Sequence, residues 1–202
     1  MKRRLALVAV VSIVGLSAAG WYLLKGQPAA TPPQSSTQPQ QAVQLDPNEH
    51  DFFDVDFAQK MIVHHQQGIE MADAVLASSA NQEMRAMATE MRQQQVNAEA
   101  QYKAWLDEWG ETYTNLADFP QMDGHDMYPS YPGLVSATRL GTLKSASAND
   151  VDTLFVELMK EHHSGGIDTS KMSNKLQYGK LIEFKDKVAA DYEVELQEME
   201  KV

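Results

Sequence analysis

An internal repeat limits the folds that are available to this chain. The motif Met-x-x-His-His occurs at residues 61–65 and again at residues 159–163, each time after a phenylalanine and before a Gly-Ile pair. The matched residues are Phe57 and Phe155, Met61 and Met159, His64 and His162, His65 and His163, and Gly68 and Gly166. A match of this extent predicts two related structural halves.

Apolar residues recur every three or four positions around each copy, the spacing of one face of an α-helix. The predicted helices run over 51–78, from about 81 to 110, from about 149 to 169, and over 181–199. No segment shows the sustained alternation of a strand. Four amphipathic helices predict an all-α four-helix bundle, with hairpins at 51–110 and 149–202. The connection between them, 111–148, is predicted to be irregular apart from a short helix near 134–143.

The breaks between the predicted helices carry signals for helix ends. Ser79 is followed three residues later by Gln82, which fits a capping box, so the second helix is expected to start near Asn81. Gly110 fits the C-terminus of that helix. Because the first break is short, the first two helices are expected to form an antiparallel hairpin.

The N-terminal fifty residues differ from the rest of the chain. A basic run precedes an uncharged apolar stretch at 5–24, which as a helix is long enough to cross a bilayer. We interpret residues 1–25 as a single-pass signal anchor in the inner or cell membrane; the alternative is a signal peptide cleaved near Ala19. In either case the remainder is exported, into the periplasm or its equivalent. Residues 26–50, rich in Pro, Gln and Ser, predict a disordered linker.

Charge and cysteine content exclude several classes of protein. The net charge is −11, and residues 1–50 carry four basic and two acidic side chains, so residues 51–202 carry −13. A domain this acidic lacks the basic face that nucleic-acid binding needs. The chain contains no cysteine, which excludes disulfides, zinc ribbons and thiolate copper sites.

The repeated motif supplies candidate metal ligands. Residues three or four apart lie on one side of a helix, so the methionine of each motif shares a face or edge with both following histidines. Met71 lies two turns beyond His64 on the same face. Thioether and imidazole together form a soft ligand set that suits copper or silver. The candidate ligands in the bundle are Met61, His64, His65, Met71, Met159, His162 and His163.

The residue three positions before each histidine discriminates between metals. Carboxylate di-iron bundles require Glu-x-x-His, and no histidine of this chain has glutamate at that position. Three of the six have methionine there instead. Thioether in place of carboxylate disfavours iron and favours Cu(I) or Ag(I).

The connection holds a third group of candidate ligands. Met122, His125 and Met127 place two thioethers and an imidazole within six residues. They could complete the site in the bundle or form a separate one.

Glycines and carboxylates near the motifs have simpler interpretations. Gly68, Gly165 and Gly166 are unfavourable inside helices, and we interpret them as points of close helix packing, with room for a bound ion as the alternative. The carboxylates between Glu193 and Glu200 are interpreted as a solvated face.

These residues resemble a known family. The segment from Asp56 to Ala72, DFAQKMIVHHQQGIEMA, resembles the signature of the domain-of-unknown-function 305 (DUF305) family, and residues 155–168 and 195–199 resemble its second repeat and C-terminus. The resemblance covers about residues 50–202. It implies a ferritin-like four-helix bundle, exported or membrane-anchored, in a bacterial family with members implicated in copper or silver tolerance. The second repeat has Thr169 where the first has Met71, so its site is expected to be weaker.

The expected function is extracytoplasmic binding of copper, as Cu(I) or Cu(II), or of silver, for buffering or tolerance of the metal. The expected partners are metal ions and, through the N-terminal helix, the membrane. One alternative is a structural or partner-binding module whose histidines form hydrogen bonds within the bundle. Another is a metal-dependent oxidase, although the sequence favours a binding protein over an enzyme.

Overall fold

A computed structural model describes residue 46 and residues 48–113, 115–118 and 131–202. These residues form five α-helices and one turn of 3-10 helix, and none of them forms a strand. The helices are α1 (Phe52–Ser78), α2 (Gln82–Trp109), α3 (Ala137–Lys144), α4 (Val151–Met172) and α5 (Gly179–Met199), with the 3-10 turn at Leu116–Asp118. The predicted all-α fold is confirmed, and the four long helices lie where the apolar periodicity predicts them.

The two hairpins pack through their first helices. α1 packs against α2, α4 packs against α5, and α1 also packs against α4. The backbones of α2 and α5 make few close approaches, although Tyr102 and Phe184 touch between them, with ring centroids 5.4 Å apart. The result is the predicted four-helix bundle, with a wide seam between α2 and α5.

Two apolar clusters fill the bundle, one towards each end. The Met71 cluster includes Met71, Val75, Met91, Phe155 and Met159. The Tyr102 cluster includes Phe57, Met61, Tyr102, Ile167 and Leu181. Along α1 the chain passes through the Tyr102 cluster first, whereas along α4 it passes through the Met71 cluster first, so α1 and α4 are antiparallel. On both helices the paired histidines lie between the two clusters.

The second helix begins near the predicted residue but by a different cap. The Asn81 side chain accepts hydrogen bonds from the backbone N–H groups of Glu83 (2.9 Å) and Met84 (3.4 Å). Ser79 instead ends α1, and its Oγ accepts from the N–H of Asn81 at 3.1 Å. The predicted Ser79 capping box is therefore wrong, because Ser79 lies two residues before Asn81, the N-cap of α2. Gly110 ends α2 with φ of 73°, as predicted.

Replacing Asn81 by alanine is expected to lower the free energy of unfolding by about 1 kcal/mol, because two N–H groups at the start of α2 lose their acceptor. Denaturant unfolding of the variant and the wild type measures the difference. Gln82→Ala is the matched control. Gln82 belongs to the capping box that the sequence predicts, but in the structure the N-cap of α2 is Asn81. A larger loss for Gln82→Ala than for Asn81→Ala would contradict this assignment.

The connection between the hairpins is anchored to α1. The buried amide of Gln67 donates to the carbonyl oxygen of Val135 (2.9 Å) and accepts from its N–H (2.7 Å). The short helix predicted near 134–143 is present as α3, and it packs against α1 and α4. The end of the connection is therefore positioned beside the motif helices.

Several predictions concern residues outside the described part of the chain. These are the membrane span at 5–24, most of the linker at 26–50, and the loop residues Met122, His125 and Met127. Within the described ranges, no helix is both long and apolar enough to cross a membrane.

Candidate metal centre

The four histidines of the motifs come together in the interior of the bundle. His64, His65, His162 and His163 are each at most 3% exposed. The rings of His64 and His162 stack face to face, with centroids 3.7 Å apart and an interplanar angle of 19°. The first histidine of each repeat thus contacts the first histidine of the other, and the two motifs form one site.

The glycine of each motif makes room for the other motif. A Cβ atom on Gly68 would lie 3.0 Å from Nε2 of His162, and one on Gly166 would lie 3.0 Å from Cε1 of His64. The same Cβ atoms would lie even closer to Gln95 (2.8 Å) and Tyr192 (2.6 Å), so a larger residue at either glycine would displace side chains of this site. The packing interpretation of these glycines is confirmed, and it explains why each glycine follows its histidine pair at the same distance.

A third glycine brings the connection against α4. A Cβ atom on Gly165 would lie 2.0 Å from the backbone nitrogen of Gly133, which adopts φ of +86°. This close approach places the carbonyl oxygen of Gly133 at 3.0 Å from Nδ1 of His162. Backbone from the connection therefore forms part of the site.

Three of the histidines donate one ring N–H to a backbone carbonyl. A carbonyl oxygen cannot donate, so the facing ring nitrogen must carry the proton. The donors are Nε2 of His64 to His162 at 3.1 Å, Nδ1 of His65 to Met61 at 2.5 Å, and Nδ1 of His162 to Gly133 at 3.0 Å. These bonds fix the tautomer and the orientation of each ring.

Three ring nitrogens of the motif histidines have no hydrogen-bond partner among the described residues. Nδ1 of His64, Nε2 of His162 and Nδ1 of His163 are buried, and no hydrogen bond reaches them within the described structure. Burial lowers the pKa of all four histidines, to about 4 for His65 and about 3 for His163. The rings are therefore neutral at pH 7. On His64 and His162, whose protons are fixed elsewhere, the free nitrogens carry available lone pairs.

A buried carboxyl group contacts the fourth histidine. Glu195 on α5 is 4% exposed, and its carboxyl group forms a short hydrogen bond with Nε2 of His163. Burial raises the pKa of Glu195 to about 8. When Glu195 is ionised it accepts a hydrogen bond from the Nε2–H group of His163. Nδ1 of His163 then carries a free lone pair.

The burial of Glu195 corrects the interpretation of residues 193–200 as a solvated face. Glu193 and Glu198 are exposed as expected, but Glu195 points into the bundle. Its position in the apolar period, three residues after Tyr192 and four before Met199, is the signal that could have identified it. Charged residues at such positions are rarely buried unless they are paired.

Tyr192 and Gln95 complete the polar group in the interior. The hydroxyl of Tyr192 lies 3.2 Å from Oε1 of Gln95 and 3.3 Å from Nε2 of His65, and its ring stacks on His163 with centroids 4.1 Å apart. Both residues fall on the apolar stripes of their helices, Gln95 four residues after Met91 and Tyr192 four residues after Val188. Polar residues at buried positions of such a stripe were the available signal.

The candidate methionines are buried but separated. Met61 lies in the Tyr102 cluster, whereas Met71 and Met159 both lie in the Met71 cluster. A cavity of about 10 Å³ is lined by Met61 and His64 among others, roughly the space that one water molecule needs. Met61 and His64, the first Met-x-x-His pair, thus share a cavity.

In this conformation the ligands are not arranged around one point. Within the described ranges, no group of three or more His, Cys, Asp or Glu side chains is placed to hold a metal ion. Stacked imidazoles present their faces to each other, whereas a metal binds the nitrogen lone pair in the plane of the ring. An ion held by both His64 and His162 therefore requires one ring to turn. An ion held by one of these rings would need another ligand, such as the thioether of Met61.

Solved structures share this fold. A DUF305 protein from Streptomyces coelicolor is 26% identical with a TM-score of 0.63, covering 73% of this chain and 88% of the other. A DUF305 fragment from Deinococcus radiodurans is 22% identical with a TM-score of 0.65, covering 75% and 95%. CopM in its Cu(II)-bound form is 19% identical with a TM-score of 0.59, covering 73% and 93%. CopM has also been solved in a Cu(I)-bound form, with a TM-score of 0.56.

Family membership follows from the sequence match. No curated protein matches the chain. The family described as "Domain of unknown function (DUF305)" matches residues 54–202, which include both histidine motifs and all five helices except the first two residues of α1. The chain belongs to the DUF305 family.

Proposed function

We propose that this protein binds a soft monovalent ion, Cu(I) or Ag(I), inside the bundle between α1 and α4. The observation that carries the proposal is the pair of buried ring nitrogens, Nδ1 of His64 and Nε2 of His162, without a partner. A buried polar atom left unsatisfied costs about 1–3 kcal/mol, which a bound ion would recover.

The hydrogen bonds on the opposite nitrogens support a ligand role. Histidine ligands in metal sites generally donate their other N–H to a carbonyl or carboxylate, which fixes the tautomer and raises the basicity of the ligand. His64 and His162 donate to carbonyl groups, and His163 pairs with Glu195. If these histidines served only to stabilise the bundle, burying a second ring nitrogen without a hydrogen-bond partner would be unfavourable.

The ligand types favour a soft ion. The described interior offers neutral imidazoles and the Met61 thioether, with Glu195 as a carboxylate beside His163. A bound cation favours the ionised form of Glu195, whose single negative charge would then balance one monovalent ion, and the soft donors match Cu(I) or Ag(I). The copper-bound structures of CopM, which has a similar fold, support the assignment of copper.

The proposed setting is extracytoplasmic. We propose that residues 5–24 tether the bundle to the membrane and that the protein buffers or carries the ion in metal tolerance, as a binding protein and not an enzyme. The name of the Streptomyces relative, which gives it as a secreted protein, supports an extracytoplasmic location. A metal-free, partner-binding bundle is the competing function.

Titration with Cu(I) against a competing chelator tests the proposal on the purified full-length protein. The wild type is expected to bind at least one ion per chain. His64→Ala/His162→Ala is expected to weaken that binding by about 100-fold or more, because it removes two ligands. His50→Ala is the control, since His50 stacks on Trp109 at the surface, away from the site. Equal, weak binding by all three proteins would favour the partner-binding function.

Glu195→Gln is expected to weaken Cu(I) binding by about 10- to 100-fold, because it keeps the shape of the side chain but cannot ionise when the cation binds beside His163. The same competition titration measures the change. Glu193→Gln, an exposed position on the same helix, is expected to bind as the wild type does. Equal affinities for the two variants would remove Glu195 from the site.

A further inference from the structure

A groove opens on the seam between α2 and α5. It encloses about 390 Å³, and its lining includes Gln94, Asn97, Gln101, Asp191, His65 and Tyr192. The seam is wide because the backbones of α2 and α5 make few close approaches. The groove therefore extends from the protein surface inward to His65, one of the motif histidines.

The floor of the groove is formed by residues of the candidate site. His65 and Tyr192 are only 1% and 3% exposed, yet both line the groove. Tyr192 separates it from the other histidines: its hydroxyl lies 3.3 Å from Nε2 of His65, and its ring stacks on His163. One side chain thus stands between the groove and the deeper imidazoles.

Two other approaches to the histidines are tightly packed. Between α4 and the connection, Gly165 and Gly133 leave no room even for a methyl group. Between α1 and α2, a Cβ atom on Gly68 would lie 2.8 Å from the side chain of Gln95. A cavity of about 10 Å³ also reaches His64, beside Lys60 and Met61. The α2–α5 groove, at about 390 Å³, is much the wider of these two openings.

The chemistry of the groove suits a cation that is losing its water. The amide oxygens of Gln94, Asn97 and Gln101 can replace water ligands without binding the ion tightly. Asp191 adds a carboxylate, which is paired with Lys187. A surface of this kind lowers the barrier to desolvation, and the imidazoles then compete for the ion.

We propose that this groove is the route by which the ion reaches and leaves the histidines, with Tyr192 as the side chain that moves aside. The inference rests on the proposed function. A route differs from a ligand in its kinetics: obstructing it slows binding and release by the same factor and leaves the dissociation constant unchanged, because the path does not alter the two end states.

Gln94→Trp tests the route by filling the groove. Stopped-flow transfer of Cu(I) from a coloured chelator to full-length protein, and back to excess chelator, measures both rates. We expect both to fall by about ten-fold or more with an unchanged dissociation constant. Ala100→Trp is the matched control, because Ala100 is an exposed position on the same helix and does not line the groove. It is expected to transfer Cu(I) at wild-type rates.

Asp191→Asn provides a second test that adds no bulk. It leaves Lys187 unpaired at the groove, so Cu(I) uptake is expected to slow by about three-fold, with a greater effect at low salt. Wild-type rates in both Gln94→Trp and Asp191→Asn would overturn the route. So would a ten-fold change in dissociation constant in Gln94→Trp, since that outcome makes the groove part of the site. If the wild type binds no Cu(I), the proposed function itself fails, which the equilibrium titration shows separately.

Discussion

Lowering the pH from 6.5 to 5 is expected to unfold this protein or bring it close to unfolding. The four motif histidines are buried and neutral, with pKa values lowered by burial, to about 4 for His65 and about 3 for His163. In the unfolded chain they titrate near 6.5. Their contribution to stability is therefore complete above pH 6.5 and is lost as the pH falls towards the folded pKa values.

Glu195 acts in the opposite sense. Burial raises its pKa to about 8, so its contribution is complete below about pH 4.5 and is lost as the pH rises through 8. Between pH 4.5 and 6.5 the unfolded chain binds four protons on the histidines, and the folded protein binds one on Glu195. The difference of three protons corresponds to roughly 4 kcal/mol per pH unit. Domains of this size have about 5–15 kcal/mol in total.

Denaturant unfolding at several pH values between 7 and 4.5 measures this slope in the metal-free protein. His65→Gln removes one of the four histidines and is expected to reduce the slope by about 1.4 kcal/mol per pH unit. A stability that is constant over this range would show that the histidines are protonated or hydrated in the folded protein. That result would contradict the buried neutral site.

Gly165→Ala is the second large effect, with an expected loss of about 3 kcal/mol or more in the free energy of unfolding. The added methyl group would lie 2.0 Å from the nitrogen and 2.2 Å from the Cα of Gly133. Both are backbone atoms, so no side-chain rotation relieves the overlap. α4 and the connection must separate, and the hydrogen bond from His162 to Gly133 is lost with them.

Gly141→Ala is the matched control for this prediction. Gly141 lies inside α3, and no atom would approach an added Cβ within 4 Å. Alanine there is expected to stabilise the protein by about 0.5–1 kcal/mol, through its helix propensity. Denaturant unfolding of both variants gives the comparison. Wild-type stability for Gly165→Ala would show that the connection does not pack against α4 as described.

The helices and their pairing could be predicted from the sequence because periodicity and repetition are local signals. The apolar period located all four long helices, and Gly110 marked the end of α2. The cap of α2 was less predictable: serine and asparagine both make good caps, and only the backbone path decides between Ser79 and Asn81. The duplicated motif predicted two halves, and the structure has one helical hairpin around each copy.

The arrangement of the site depended on contacts between distant segments, which the sequence does not specify. The spacing placed Met61 and His64 on one face, and they share a small cavity. The same rule could not show that Met159 points into the Met71 cluster while His162 stacks on His64. The role of Gly133 depends on a turn in the connection, and that of Glu195 on the rotation of α5.

Imidazole nitrogen resonances test the central claim most directly. Full-length protein with ¹⁵N-labelled histidine would be compared before and after one equivalent of Cu(I). The proposed site predicts that Nδ1 of His64 and Nε2 of His162 shift on binding, while the opposite nitrogens keep their protons. If bound Cu(I) leaves both unchanged and shifts His125 instead, the ion is held in the connection, and the buried histidines are not its ligands.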